Sequence, residues 1–161
     1  MILLPTDYYI QANTFSIQPY RDPIFQSVIY NIDGTVHYDT RKPMEIIEAS
    51  CLHYGSSLEG RRASISRYLH QEFRYQVPVV ICHTKEIALQ PLMSYRHLDC
   101  SWVNIQHIAS GHVEYHYDQN EMIVVFPNGV TITVACSKSL ATKSMASSYI
   151  IFSRLGRVAA S

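Results

Sequence analysis

"EMIVVFPNGVTITVAC", residues 121 to 136, consists of two runs of apolar and β-branched residues separated by Asn128 and Gly129. An Asn-Gly pair supplies the positive φ angles of a tight turn, and between two such runs it is a strong signal for a β-hairpin. We therefore predict an antiparallel hairpin here, with its turn at Asn128-Gly129.

Three more segments have the same character. The segment "PIFQSVIYNIDGTVHYD", residues 23 to 39, predicts strands near 24–32 and 35–39 joined at Asp33-Gly34. The segment "VPVVICHTKEIALQP" predicts two strands around residues 83–85, and "CSWVNIQHIASGHVEYHY" predicts two more around residues 109–111. Repeated hairpins indicate a mostly antiparallel sheet.

Helical patterns lie between and after these strands. In "RKPMEIIEASCLHYG", residues 41 to 55, apolar side chains recur at helical spacing, Pro43 suits the first turn and Gly55 suits a stop. The segment "SLEGRRASISRYLH" fits a short helix from near Ser57, although its alternation also fits a strand. A third helix is predicted in "SKSLATKSMASSYIIFSRLG", residues 137 to 156, with an apolar stripe at Ala141, Met145, Tyr149 and Phe152. We expect an α+β fold with two or three helices, one near the C-terminus, in a single domain over residues 1–161.

Composition excludes several classes of protein. An apolar fraction of 47% and a charged fraction of 16% are typical of an ordered globular chain. No apolar run reaches the roughly 18 residues of a membrane span, and the N-terminus lacks the features of a signal peptide, so we expect a cytoplasmic protein. The four cysteines are widely spaced, and we interpret them as buried apolar residues rather than a disulfide or zinc framework: Cys51, Cys82, Cys100 and Cys136.

Charge is unevenly distributed although the net charge is zero. The first 121 residues carry nine basic and thirteen acidic side chains, whereas the last 40 carry four basic and none acidic. A second basic group comprises Arg61, Arg62, Arg67 and Arg74. Such local basic regions can attract phosphates, although ordinary solvated side chains would give the same pattern.

The stretch "CLHYGSSLEGRR", residues 51 to 62, has two glycines at the spacing of a nucleotide-binding loop. It follows a predicted helix rather than a strand, and it lacks the lysine and the magnesium-binding hydroxyl of such a loop. What remains is a phosphate-binding corner formed by hydroxyls, amides and guanidiniums, from Ser56, Ser57, Arg61 and Arg62.

A metal site is the enzymatic alternative. If "HVEYH" is a strand, His112, Glu114 and His116 lie on one face and are the residue types of a two-histidine, one-carboxylate centre. The simpler interpretation is a solvated face, with Val113, Tyr115 and Tyr117 towards the core. No cofactor or metal is therefore expected.

Three blocks, "CLHYGSSLEGRRAS" at 51–64, "DCSWVNIQHI" at 99–108 and "FPNGVTITV" at 126–134, resemble the ComK family of competence transcription factors. The resemblance extends from about Tyr8 to about Arg154. It implies a DNA-binding activator of DNA-uptake genes that recognises A/T-rich duplex largely through the minor groove and binds as an oligomer. The residues expected at the DNA are Arg61, Arg62 and Arg67, supported by Ser56, Ser57, Lys138 and Lys143.

Longer members of that family continue into a polar, charged C-terminal extension associated with a degradation adaptor, whereas this chain ends at Ser161. The resemblance implies three kinds of partner: A/T-rich DNA, further copies of the chain and a degradation adaptor. The short C-terminus counts against regulated proteolysis through that adaptor. Two alternatives stay open: a hetero-oligomerising regulator that does not itself bind DNA, and a metal-dependent enzyme using His112, Glu114 and His116.

Overall fold

A computed structural model describes residues 8–55, 78–82, 85, 87–94 and 96–136. The strands are β1 (Thr14–Pro19), β2 (Ser27–Asn31), β3 (Val36–Asp39), β4 (Val79–Cys82), β5 (Ile87–Pro91), β6 (Trp102–Asn104), β7 (Glu114–Asp118), β8 (Glu121–Val125) and β9 (Thr131–Ala135). Helix α1 spans Pro43–His53, and helix α2 spans Ile105–Ala109. Within these ranges no helix is long and apolar enough to cross a membrane.

The strands form two sheets in which every pair is antiparallel. The larger sheet has six strands in the order β3-β2-β1-β6-β5-β4, and the smaller has three in the order β7-β8-β9. At its centre β1 pairs with β6, which is distant in sequence, through Ser16 with Val103 and Ile17 with Trp102. The predicted α+β class with a mostly antiparallel sheet is confirmed.

The six-stranded sheet is the middle layer and is buried on both faces. One core lies between it and α1, and its fully buried members include Ile17, Ile29, Ile46, Ile47 and Leu89. The other core lies between it and the smaller sheet, and it includes Phe15, Val103, Met122, Val124 and Val134. Both faces of β4 and β5 are covered, and accordingly β4 is a continuous apolar run and β5 is apolar except for the buried Gln90.

A bulge in β1 allows one strand to supply both cores. Thr14 pairs with Asn31 and Ser16 pairs with Tyr30, so two steps on β1 match one step on β2. Without the extra residue, Phe15 and Ile17 would lie on the same face, because side chains alternate along a strand. Instead Phe15 packs edge-on against the ring of Phe126, with ring centroids 5.5 Å apart, and Ile17 faces the other core.

Helix α1 is confirmed, with Pro43 as its first residue and Gly55 following its end with φ +89°. Its buried side chains include Ser50, which binds two partners. The Ser50 hydroxyl oxygen accepts from the backbone N–H of Ile10 at 3.0 Å and donates to the carbonyl of Ile46 at 2.7 Å. This contact fixes the chain ahead of β1 onto the helix.

The hairpins β2–β3, β4–β5 and β8–β9 are confirmed, but the turn geometry at two of them differs from the prediction. In β8–β9 the N–H of Phe126 donates to the carbonyl of Val130 at 2.8 Å, and Gly129 N–H donates to the carbonyl of Phe126 at 2.9 Å. The β2–β3 turn has the same two bonds around Gly34. In each turn only the glycine has a positive φ, so the expectation of two positive φ angles was wrong; these are longer turns that need one left-handed residue.

The predicted hairpin over residues 100–117 is wrong. After β6 the chain enters α2 and then β7, and these two strands belong to different sheets. The Asn104 side chain accepts from the N–H of Gln106 at 3.2 Å, which caps α2 and ends the strand. Helix α2 therefore connects the larger sheet to the smaller one. A tight turn in its place would have paired the next strand with β6 in the same sheet.

Three of the four cysteines are buried in the two cores, as predicted, namely Cys51, Cys100 and Cys136, and Cys82 is half-buried. The predicted helices from near Ser57 and over residues 137–156 lie outside the described residues.

Candidate functional site

All seven residues expected at the DNA lie outside the described residues: Ser56, Ser57, Arg61, Arg62, Arg67, Lys138 and Lys143. The structure does describe the residues that flank the two stretches of sequence in which they lie. Residues 56–77 follow the end of α1 and precede β4, and these two elements are in contact. Residues 137–161 follow β9 and Cys136, which is the last described residue. The backbone N–H of Cys136 donates to the carbonyl of Asn120 at 3.0 Å.

Several side-chain contacts connect the residues just ahead of the arginine stretch with other parts of the chain. The ring of Tyr9 stacks on His53 with centroids 4.0 Å apart, and the Tyr54 hydroxyl donates to the carbonyl of Ile10 at 2.9 Å. The ammonium of Lys85 lies 5.4 Å from the centre of the Tyr54 ring, within the range of a cation–π contact. The side chains of Tyr9, His53, Tyr54 and Lys85 line a cavity of about 550 Å³ next to Gly55, the last described residue before the arginine stretch.

The described residues, which we call the body, differ in net charge from the two stretches 56–77 and 137–161. The described residues include five Lys and Arg against nine Asp and Glu. Residues 56–77 and 137–161 together carry eight Lys and Arg against two Asp and Glu. Most of the Lys and Arg that could bind a phosphate backbone therefore belong to these two stretches of sequence, whereas the described residues have an acidic net charge.

The alternative metal site is not assembled. Glu114 and His116 are exposed on β7, whereas the His112 ring turns to His107, with their Nδ1 atoms 3.1 Å apart. Within the described part of the chain, no three His, Cys, Asp or Glu side chains are grouped so that they could hold a metal ion. The solvated-face interpretation agrees with the exposure of Glu114 and His116. It is wrong for Tyr115, which is also exposed, while Val113 is buried and Tyr117 is half-buried.

Burial raises the pKa values of the Cys100 thiol and the Tyr117 phenol, which keeps both groups protonated at neutral pH. It raises the pKa of the Cys100 thiol to about 11 and that of the Tyr117 phenol to about 12. Because the thiolate is the nucleophilic form of cysteine, a thiol with a raised pKa is inert at neutral pH. Neither group is suited to covalent or acid–base catalysis.

Sequence reasoning missed strand β1, helix α2 and the packing of the two hairpin turns against each other. The Asn128 amide donates to the carbonyl of Asp33 at 3.2 Å, which joins the turn of the smaller sheet to that of the larger. For α2 a signal was present, because Asn104 and Ser110-Gly111 are suitable cap and stop residues. The turn contact has no local signal.

The architecture and charge pattern are those of a small α+β protein whose Lys and Arg are concentrated in two stretches of its sequence, without an assembled metal centre among the residues described. A family model described as "ComK protein" matches residues 5–156. The chain therefore belongs to the ComK family, and the resemblance of the three sequence blocks is confirmed.

A curated relative from Bacillus subtilis (strain 168), named Competence transcription factor, is 29% identical over 102 residues. The aligned region covers 63% of this chain and 50% of that protein, so the chain spans about half the length of the curated relative it matches. No solved structure is significantly similar.

Proposed function

We propose that this protein is a DNA-binding regulator of competence gene transcription that works in the cytoplasm as an oligomer. Its membership of the ComK family and its similarity to a competence transcription factor support the biological role. In this proposal it activates its target genes and binds A/T-rich duplex largely through the minor groove. A degradation adaptor would be a further partner.

The observation that carries the proposal is the segregation of charge. Eight of the thirteen Lys and Arg lie in residues 56–77 and 137–161, while the described body is acidic. Because a narrow A/T-rich minor groove has an enhanced negative potential, it attracts inserted arginines, and flanking hydroxyls and lysines can bind the phosphates. We assign the groove or phosphate contacts to Arg61, Arg62 and Arg67, and the supporting contacts to Ser56, Ser57, Lys138 and Lys143.

The test is a fluorescence-anisotropy titration of A/T-rich and G/C-rich duplexes at several salt concentrations. The logarithm of the binding constant should fall linearly with the logarithm of salt concentration, with a slope of about −0.9 per neutralised phosphate. Arg62→Ala should weaken binding and make the slope shallower by about 0.9, since one phosphate contact is lost. Preference for the A/T-rich duplex tests groove recognition separately.

Arg21→Ala is the matched control, because Arg21 is an exposed arginine of the body whose side chain pairs with Asp99 at 2.8 Å. It should leave the affinity and the slope unchanged. Absence of binding at low salt would overturn the proposal and favour the hetero-oligomerising regulator. If Arg62→Ala unfolds the protein by circular dichroism, the assignment of Arg62 to DNA is wrong.

A further inference from the structure

The cavity next to Gly55 has a lining that differs in charge from the body around it. None of the described residues that line it is acidic, although Asp and Glu outnumber Lys and Arg by nine to five in the body. Its polar side chains include those of Gln11, Asn13 and Lys85. A cation and two amides without a carboxylate favour an anionic ligand.

Lys85 is a cation of the body that no carboxylate of the described residues neutralises. Its side chain is exposed, and its ammonium lies 5.4 Å from the centre of the Tyr54 ring, a contact that leaves N–H groups able to donate to a further acceptor. By contrast, the guanidinium of Arg41 already donates to the Asp39 carboxylate at 2.9 Å. Lys85 is therefore available to an anion from outside the chain.

Two amide side chains add uncharged donors to the same cavity. Gln11 and Asn13 lie in the segment ahead of β1, and among the described residues neither side chain has a hydrogen-bond partner. The backbone N–H of Gln11 donates to the Thr14 hydroxyl at 3.0 Å. The backbone carbonyl of Asn13 accepts from the N–H of Ile32 at 2.9 Å. Both side chains thus start from a fixed backbone, and such amides commonly donate to the oxygens of a DNA strand.

The chain itself connects this cavity to the residues that we assign to DNA. Gly55 directly precedes Ser56, and Arg62 is seven residues from Gly55. Because an extended chain spans at most about 3.6 Å per residue, the backbone of Arg62 lies within about 25 Å of Gly55. A DNA strand advances about 3.4 Å per nucleotide, so this limit corresponds to about seven nucleotides. A duplex bound by Arg62 can therefore extend to the cavity.

We propose that the cavity next to Gly55 is part of the DNA-binding surface, where the Lys85 ammonium pairs with a phosphate of the duplex that Arg62 contacts. The two amides donate to neighbouring oxygens of that strand. This assignment rests on the proposed function. A polyanion matches the unneutralised cation, the free donors and the position beside the arginine stretch. An apolar anchor of a protein partner would meet only Ala12 as an aliphatic side chain among the described lining residues.

The test is an anisotropy titration of the A/T-rich duplex at several salt concentrations with variants of the cavity. Lys85→Ala should weaken binding about tenfold and make the salt slope shallower by about 0.9, because one phosphate contact is lost. Lys85→Arg should keep the wild-type slope, since it preserves the charge. Asn13→Ala should weaken binding about fivefold and leave the slope unchanged, because an amide neutralises no phosphate.

Lys42→Ala is the matched control. Lys42 is an exposed lysine of the body that precedes the first turn of α1, and 11 helical residues at a rise of about 1.5 Å place it roughly 16 Å from the end of the helix beside Gly55. This variant should keep the wild-type affinity and slope. A loss as large as that of Lys85→Ala would reveal a general effect of charge and overturn the proposal.

The outcomes separate this proposal from the proposed function. A shallower slope in Arg62→Ala with a wild-type slope in Lys85→Ala would overturn the cavity assignment and leave the proposed function standing. Absence of duplex binding by the wild type at low salt would overturn both. If Lys85→Ala unfolds by circular dichroism, wild-type affinity in Asn13→Ala would overturn the assignment instead.

A free nucleotide is the other source of phosphate that could occupy the cavity. Calorimetric titration with AMP distinguishes it from the duplex, and no saturable binding is expected. Saturable AMP binding that is lost in Lys85→Ala, while that variant binds the duplex as tightly as the wild type, would overturn the proposal and identify a nucleotide site.

Discussion

At the scale of single residues, His107 is a buried titratable group whose imidazole contacts two other parts of the chain. His107 is 6% exposed, and its Nε2 lies 2.6 Å from the carbonyl oxygen of Ala12. Because a carbonyl only accepts, Nε2 donates, and in the neutral pair Nδ1 of His107 accepts from Nδ1–H of His112. The side chain thereby joins α2 to the segment ahead of β1, and protonation of both rings would break the bond between them.

We predict that His107 makes the folded state less stable in mild acid. Burial is the main cause that lowers its pKa below the ordinary value of 6.5, with the neighbouring His112 adding to the effect. The unfolded chain therefore takes up the proton at higher pH than the folded one, and stability is lost as pH falls from 6.5 through the folded pKa. Urea midpoints measured between about pH 5 and pH 8 should show this decline in the wild type.

The variant His107→Gln should flatten that dependence, because it removes the titrating group and keeps a donor for the Ala12 carbonyl. The exposed His116 provides the control, and His116→Gln should retain the wild-type profile. An unchanged pH profile in His107→Gln would show that His107 is not responsible.

At the scale of elements, the β2–β3 and β8–β9 turns pack against each other through Asn128. Gly34 and Gly129 both have φ near +88°, at +88° and +87°, but their surroundings differ. A Cβ on Gly34 would collide with the Asn128 amide, whereas a Cβ on Gly129 would meet no atom within 4 Å. The Asn128 amide is held there because it donates to the carbonyl of Asp33.

We predict that Gly34→Ala destabilises the protein more than Gly129→Ala. Both changes place an L side chain in the left-handed region, which costs about 1 to 2 kcal/mol. Gly34→Ala also displaces the Asn128 amide and its hydrogen bond, worth about 1 kcal/mol more. In an Asn128→Ala background this extra loss should disappear, and a double-mutant cycle of urea unfolding free energies measures it. Equal effects of Gly34→Ala in both backgrounds would contradict the contact.

At the scale of the whole molecule, the proposed function requires a protein of zero net charge to attract a polyanion, and its uneven distribution of charge along the sequence provides a physical reason. Under the proposed function, the acidic net charge of the described residues opposes contact with a phosphate backbone, and the eight Lys and Arg of residues 56–77 and 137–161 attract it. In this arrangement both stretches, one after α1 and one after β9, should contact the same duplex.

The prediction concerns Arg62→Ala combined with Lys138→Ala. If both side chains neutralise phosphates of one duplex, the double variant should make the salt slope shallower by about twice 0.9, and the free-energy losses should add. Anisotropy titrations of both single variants, the double variant and the wild type provide the comparison. A double variant with the slope of Arg62→Ala alone would remove Lys138 from the interface.

Local chemistry was enough to predict much of the fold. The apolar runs flanking Asp33-Gly34 and Asn128-Gly129, and the helical spacing from Pro43 to Gly55, predicted β2, β3, β8, β9 and α1 correctly. These elements are predictable because a turn glycine or a helix period is encoded by neighbouring residues. Family membership was likewise predictable, since it rests on blocks of sequence.

The tertiary structure decided what depends on residues far apart in the chain. The β1–β6 pairing, the bulge that divides Phe15 and Ile17 between two cores, and the separation of β6 from β7 by α2 satisfy burial on both faces of one sheet. A cavity of about 420 Å³ likewise brings together Arg21, Lys42 and Arg96 from three separate parts of the chain. The sequence by itself determined the hairpins β2–β3, β4–β5 and β8–β9, helix α1 and the basic stretches. Only packing between residues distant in sequence decided which strands adjoin and which cations share a surface. The free energy of these contacts arises only when folding brings the residues together, so neighbouring residues do not encode it.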